Sequence, residues 1–256
     1  MNNSLPDPLP LPPDISPAPF WSSRRRRLAF LIILASGLTL FLAWMPAKAR
    51  TSLWAALITQ VELIVLLSLF GLVTLSMIWA AGQRMDTRIF VLFNTRGYPK
   101  WLDRVMWAAT QLGTMLFAFM TAFVLYFLNF QMLATGVVLG TTTLWLLVET
   151  LKAFILRERP FHTFENTRVI GWREKGDSFP SGHTSQIFFL ATLFSQHFQL
   201  GPGGIFILYM AAVFVGFTRI YVGAHYPRDV FGGAVLGSIW GLLANLVALA
   251  WLAGQS

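Results

Sequence analysis

Seven apolar runs, each near the length a helix needs to cross a bilayer, constrain this chain more than any other feature. They fall at about 28 to 44, 53 to 81, 109 to 129, 132 to 155, 183 to 199, 204 to 222 and 229 to 253. A helix crosses the hydrocarbon with ~20 residues. A membrane strand would alternate apolar and polar residues, and these runs do not, so helices are the consistent reading. The composition agrees: 12% of residues are charged, against roughly 25% in soluble domains, and the mean hydropathy is +0.61. The expected fold is all-α, a polytopic transmembrane helix bundle of six core spans plus one extra N-terminal apolar segment.

Residues 1–23 hold seven of the 13 prolines and little that could form a core, so they read as a disordered tail. Residues 24–52 carry Arg24 to Arg27 and the extra apolar helix, with Ala47-Lys48-Ala49 as an alternative, signal-peptide-like reading. A membrane domain is expected over 53–256. Within it, 82–108 alternates Ile89, Phe90 and Phe93 with Arg88, Arg96 and Lys100, the pattern of a helix lying in the interface. Gly136 with Gly140, and Gly233 with Gly237 and Gly241, recur every four residues. That spacing lets helix backbones approach closely or reflects ordinary packing. Glu62, alone in its apolar run, is either a polar packing contact or part of a lipid passage.

The net charge of +8 comes mostly from 15 Arg gathered at the ends of apolar runs. Such charge suits anionic headgroups or an anionic substrate. With no binding module and no soluble domain to carry the basic residues, nucleic acid is not an expected partner. No cysteine is present, which excludes thiolate chemistry and Cys-ligated zinc.

Three stretches carry chemistry. Lys152 stands seven residues before Arg159, almost two helical turns, so on a continuous helix ended by Pro160 both leave one face. Glu149 pairs with Lys152 in an alternative, purely structural reading, and Arg157 and Glu158 read as a solvated helix end. Pro180-Ser181-Gly182-His183 precedes an apolar helix, with Ser181 as its N-cap and Gly182 open to an anion. Arg219 closes a helix, Gly223 breaks it, and Pro227 opens the next. The spacing of His225 and Asp229 lets the carboxylate orient the imidazole through Nδ1, or Asp229 merely favours a helix N-terminus. Counting spans puts all three stretches on one side of the membrane. Three cations beside two histidines disfavour a divalent metal and suit a phosphoryl group.

Taken in order, Lys-x6-Arg-Pro, Pro-Ser-Gly-His and Thr-Arg-x5-His-x3-Asp resemble the signature of the type 2 phosphatidic acid phosphatase family, which shares its site with vanadium haloperoxidases. Thr218 replaces the usual Ser, and the likeness covers roughly 86 to 250. The resemblance implies an integral-membrane hydrolase of lipid phosphates such as phosphatidic acid, phosphatidylglycerol phosphate or an isoprenoid pyrophosphate, without cofactor or metal. It implies that Lys152, Arg159, Arg219, Ser181 and Gly182 bind phosphate. His225 would form a phosphohistidine, Asp229 would orient it, and His183 would protonate the leaving oxygen. A phosphotransferase, a haloperoxidase and a non-enzymatic lipid-binding or transport protein are the competing readings. His162 and His197 read as interfacial. The family's site faces out of the cytoplasm, whereas Arg24 to Arg27 favour a cytoplasmic N-terminus; the expectation follows the family, a multi-pass cell-membrane protein with an extracytoplasmic site.

Overall fold

The computed structural model describes residues 24–255, so the Pro-rich segment 1–23 lies outside the described residues. Among the described residues every regular element is a helix: α1 Arg24–Trp44, α2 Ala47–Thr59, α3 Val61–Ser76, α4 Ala80–Asn94, α5 Lys100–Thr110, α6 Met115–Phe127, α7 Gln131–Ile155, α8 Pro160–Thr163, α9 Gly182–His197, α10 Pro202–Tyr221 and α11 Pro227–Gln255. A 3-10 turn over Gln111–Gly113 joins α5 to α6.

The run expected over 53–81 is broken at Gln60 into α2 and α3, which meet at 67°. The 109–129 run is likewise bent by 59° before Met115. There Thr114 leaves the helical region and caps α6, its hydroxyl accepting from Phe117 N at 3.2 Å. Among the described residues three helices, Gln131–Thr163, Pro202–Tyr221 and Pro227–Gly254, are long and apolar enough to cross a membrane, or up to five spans if each bent pair counts as one. The run at 183–199 forms α9, only 16 residues long. Phe189, Leu190 and Leu193 bury against α7, so its apolar character serves the bundle core as much as any lipid face. Glu62 sits exposed in the first turn of α3, where a carboxylate favours the helix N-terminus.

The expected interfacial stretch 82–108 divides into α4 and α5. Along α4, Gly82, Asp86, Phe90 and Asn94 are buried at four-residue spacing, so one face turns into the protein while Arg84 and Arg88 stay exposed. Asn94 staples the loops above the bundle: its amide nitrogen donates to Arg168 O and Tyr221 O, both at 2.9 Å, and its Oδ1 accepts from Arg168 N at 2.9 Å.

α9 and α11 pack closest. A Cβ on Gly237 would meet Ser185 O at 2.1 Å, and one on Gly233 would meet Ser181 O at 2.7 Å. The α11 glycines therefore face the α9 backbone directly, and this contact sets the site, because Ser181 N donates to Asp229 O at 3.0 Å. Gly136, by contrast, has nothing within 4 Å of such a Cβ. Gly237→Ala forces backbones apart and is expected to cost about 1–3 kcal/mol, whereas Gly136→Ala is neutral or stabilising by up to about 1 kcal/mol. Thermal melting of the detergent-solubilised variants checks the contrast.

Candidate active site

The turn between α10 and α11 builds the centre of the site. α10 ends at Tyr221, Gly223 adopts φ +86°, and a side chain there would strike Arg168 O at 2.3 Å. Glycine allows this reversal. His225 is thereby folded back on Arg219, its N–H donating to Arg219 O at 3.2 Å, and Pro227 starts α11.

His225 is 1% exposed and Asp229 is fully buried. The direct bond expected between them is not formed, since His225 Nδ1 lies 3.8 Å from Asp229 Oδ2. Ser178 stands between: its hydroxyl donates to Asp229 Oδ2 at 2.6 Å and lies 3.4 Å from His225 Nδ1. On the other side of the ring Arg159 Nη1 is 3.2 Å from His225 Nε2. A guanidinium can only donate, which assigns the lone pair to Nε2 and the proton to Nδ1. The ring is thus presented in the tautomer a nucleophile requires, with Ser178 relaying the carboxylate. Burial, then the Arg159 charge, hold the His225 imidazole below its ordinary pKa.

Glu174 occupies the middle of the cation cluster. Its carboxylate accepts from Arg159 Nη1 at 2.9 Å and from Arg219 Nη2, and stands 3.7 Å from both His183 Nδ1 and His225 Nε2. Burial opposes its ionisation, but the Arg219 charge outweighs burial and holds its carboxyl well below the usual range. Arg219 also donates to Thr110 Oγ1 at 2.8 Å, while its Nε is buried without a partner among the described residues. Ser181 is the N-cap of α9, accepting from Thr184 N at 3.4 Å and from Thr184 Oγ1 at 2.9 Å. Gly182 and His183 line a cavity of about 200 Å³ together with Lys152 and Glu174 and the apolar Leu144, Trp145 and Val148. Lys152 is paired there with Glu149 at 2.8 Å. Among the described residues no group of three or more His, Asp or Glu is arranged to hold a metal ion.

A family profile described as the PAP2 superfamily matches residues 128–252. The Lipid A 4'-phosphatase of Bacteroides thetaiotaomicron is 31% identical over 178 residues, 64% of this chain and 77% of that protein. The chain belongs to the PAP2 superfamily. The Lipid A 1-phosphatase of Rhizobium etli is 35% identical over 119 residues, 44% of this chain and 50% of the relative, so the chain spans about half the length of that protein. Among solved structures, the transmembrane PAP2 type phosphatidylglycerolphosphate phosphatase from Bacillus subtilis matches with a TM-score of 0.63 and 25% identity, covering 72% of this chain and 94% of that one. These matches lie in the membrane lipid-phosphatase branch of the PAP2 superfamily, and the fold is its transmembrane all-α fold.

Two corrections concern the first PAP2 motif. Lys152 and Arg159 do not share a helix face: α7 ends at Ile155, where Leu156 takes a left-handed conformation (φ 50°, ψ 44°), and Arg159 follows on extended backbone. Pro160 starts α8 instead of stopping α7. Arg157, expected at a solvated helix end, is 8% exposed and joins Asp229 Oδ1 to Asp86 Oδ2, at 2.5 Å each. Asp86 is also held by Arg228 N at 3.0 Å and Arg228 Nε at 2.6 Å. Glu158 is exposed as expected, and His162 and His197 are exposed and away from the cluster. Thr218 keeps its hydroxyl within the helix, donating to Val215 O at 2.6 Å.

Sequence reasoning missed Asp86, Glu174 and Ser178. Asp86 carried a legible signal, an acid on the same four-residue face as Phe90 and Asn94. Glu174, between Arg173 and Lys175 in a polar segment, carried none. Arg157→Met strands Asp86 and Asp229 without their shared cation, and breaking such a buried pair costs about 3–5 kcal/mol. The expected result is a large fall in melting temperature, together with lost activity, in a side chain that never reaches the cavity.

Proposed function

We propose that this chain is an integral-membrane, metal-independent phosphatase that hydrolyses a lipid phosphate or isoprenoid pyrophosphate through a phosphohistidine on His225. The observation that carries the reading is that Arg159, Arg219, His183 and His225 already converge on one anionic group, the Glu174 carboxylate, all within 3.7 Å. A phosphoryl group in that position meets two guanidinia, the N-terminus of α9 and, across the cavity, Lys152. The apolar residues lining that cavity suit a hydrocarbon chain, and the relatives named above act on lipids.

In this reading His225 Nε2 attacks phosphorus as the bond between phosphorus and the lipid oxygen breaks. Arg159 turns from Nε2 to a phosphate oxygen, and Ser178 with Asp229 stabilises the proton on Nδ1 as the ring gains positive charge. His183 gives its proton to the departing lipid oxygen, then takes one from water as that water cleaves the nitrogen–phosphorus bond. The two arginines and Ser181 stabilise the equatorial oxygens throughout. We assign the membrane phosphatase domain to residues 53–256, a separate extra helix to 24–52, and an extracytoplasmic face to the site. Reporter fusions after Gly201 and Gly254, both at the opposite end, are then cytoplasmic; a cytoplasmic signal at neither contradicts that orientation.

A panel of phosphatidic acid, phosphatidylglycerol phosphate, undecaprenyl pyrophosphate and lipid A, assayed with purified protein, tests the class. Hydrolysis of at least one, sustained in EDTA, is expected. His225→Asn lowers kcat by about 10³-fold or more, on the scale of losing a nucleophile, and a variant that still releases phosphate abundantly contradicts the assignment. The depressed pKa of His225 keeps Nε2 unprotonated to lower pH than an ordinary imidazole. The acid limb of kcat/KM, which reports the free enzyme, therefore falls below pH 6.5, the ordinary value; a limb above 6.5 contradicts it.

A further inference from the structure

Glu174 is not needed by the phosphatase mechanism, yet it fills the centre of the site. It lies on the segment from Gly171 to Gly176, whose other residues are exposed while Glu174 turns inward. Both bounding glycines have positive φ, +85° and +81°, so the backbone can reorganise there at little steric cost. The chain is fastened just outside them, Ile170 N donating to Val222 O at 3.1 Å and Ser178 N to Arg157 O at 2.7 Å. Between these anchors the carboxylate contacts hold the tip inward, joined by Arg159 Nε donating to Gly176 O at 2.9 Å.

The donor set exceeds what this carboxylate uses. Arg219 Nε is buried and unpartnered among the described residues, and Lys152 in the same cavity is turned to Glu149. A carboxylate offers two oxygens and one charge. A terminal phosphate offers three free oxygens and about −1.5 to −2 at neutral pH. A phosphodiester, the headgroup linkage of ordinary bilayer phospholipid, offers two free oxygens and one charge, the same as the carboxylate.

We propose that Glu174 is a displaceable occupant of the phosphate subsite that reserves it for terminal phosphates and keeps monoanionic phosphodiesters out. The proposal rests on the phosphatase reading above. A phosphodiester entering the site exchanges like for like against a competitor tethered at high effective concentration, and gains nothing. A terminal phosphate brings extra charge into a site of low dielectric and an oxygen for Arg219 Nε, so it displaces Glu174. Selectivity is thereby set against the most abundant wrong ligand, the surrounding membrane.

Calorimetric titration of the full-length protein in detergent micelles, with inorganic phosphate and with the soluble phosphodiester dihexanoyl phosphatidylglycerol, tests this. Wild type is expected to bind phosphate and exclude the diester. Glu174→Gln is expected to bind phosphate about tenfold more tightly, the loss of one charged competitor, and to admit the diester. Removing the carboxylate leaves the arginines unbalanced, so this variant melts lower in phosphate-free buffer and recovers when phosphate is added. If it does not recover, Glu174→Asp, still charged but one methylene shorter, decides with the same sign of change. Unchanged selectivity or weaker phosphate binding overturns the proposal. Hydrolysis measured in parallel separates the two readings. Tighter binding with no hydrolysis by wild type sinks the phosphatase reading alone, and hydrolysis with unchanged binding sinks the role of Glu174 alone.

Discussion

The buried carboxylate of Asp229 is the constraint on which the site depends. An ion without solvent is costly by several kcal/mol unless charge and hydrogen bonds replace its water. Asp229 obtains these from Arg157, Ser178 and Tyr226 N, at 2.5, 2.6 and 2.9 Å. The donors come from the chain beyond α7, the segment before α9 and the turn before α11. Satisfying one carboxylate therefore fixes where three elements end. Asp86 extends the same arrangement to α4, because Arg157 carries a second guanidinium nitrogen that also needs an acceptor.

The charges fall into two layers with different consequences. In the inner layer Asp229, Arg157, Asp86 and Arg228 pair permanently and orient His225 through Ser178. In the outer layer Arg159, Arg219 and the two histidines face Glu174, which arrives on a segment bounded by flexible glycines. On the proposed reading, rigid pairing beneath and exchangeable pairing above is what an anion site requires: it would preorganise the nucleophile and let its ligand position be vacated.

Much of this was legible in the sequence, for reasons specific to each residue. Apolar runs reveal helices, and the charged residues at their ends mark the candidate site, because both depend on local composition. The number of spans did not follow, since Phe189 and Leu193 of α9 are as apolar facing the bundle core as they would be facing lipid. The break at Gln60 also carries no proline or glycine to announce it, and at Thr114 the single preceding Gly113 does not stand out from the other glycines of the apolar runs. Arg159 was found by its spacing, but for the wrong geometry: the left-handed turn at Leu156, unusual for a non-glycine residue, removes it from α7. The same turn sends Arg157 inward, where helical periodicity had sent it to solvent. Glu174 and Ser178 act through contacts formed only by tertiary folding, and no local pattern marks them.

The central claim, that these pairings prepare His225 Nε2 to attack phosphorus, is tested most directly by trapping the intermediate. Turnover of a lipid phosphate quenched in alkali, where a phosphohistidine survives, followed by peptide mass spectrometry, should recover a phosphoryl group on His225. Phosphorylation of another residue, or none under conditions where product is forming rapidly and the quench preserves a control phosphohistidine, would contradict the account.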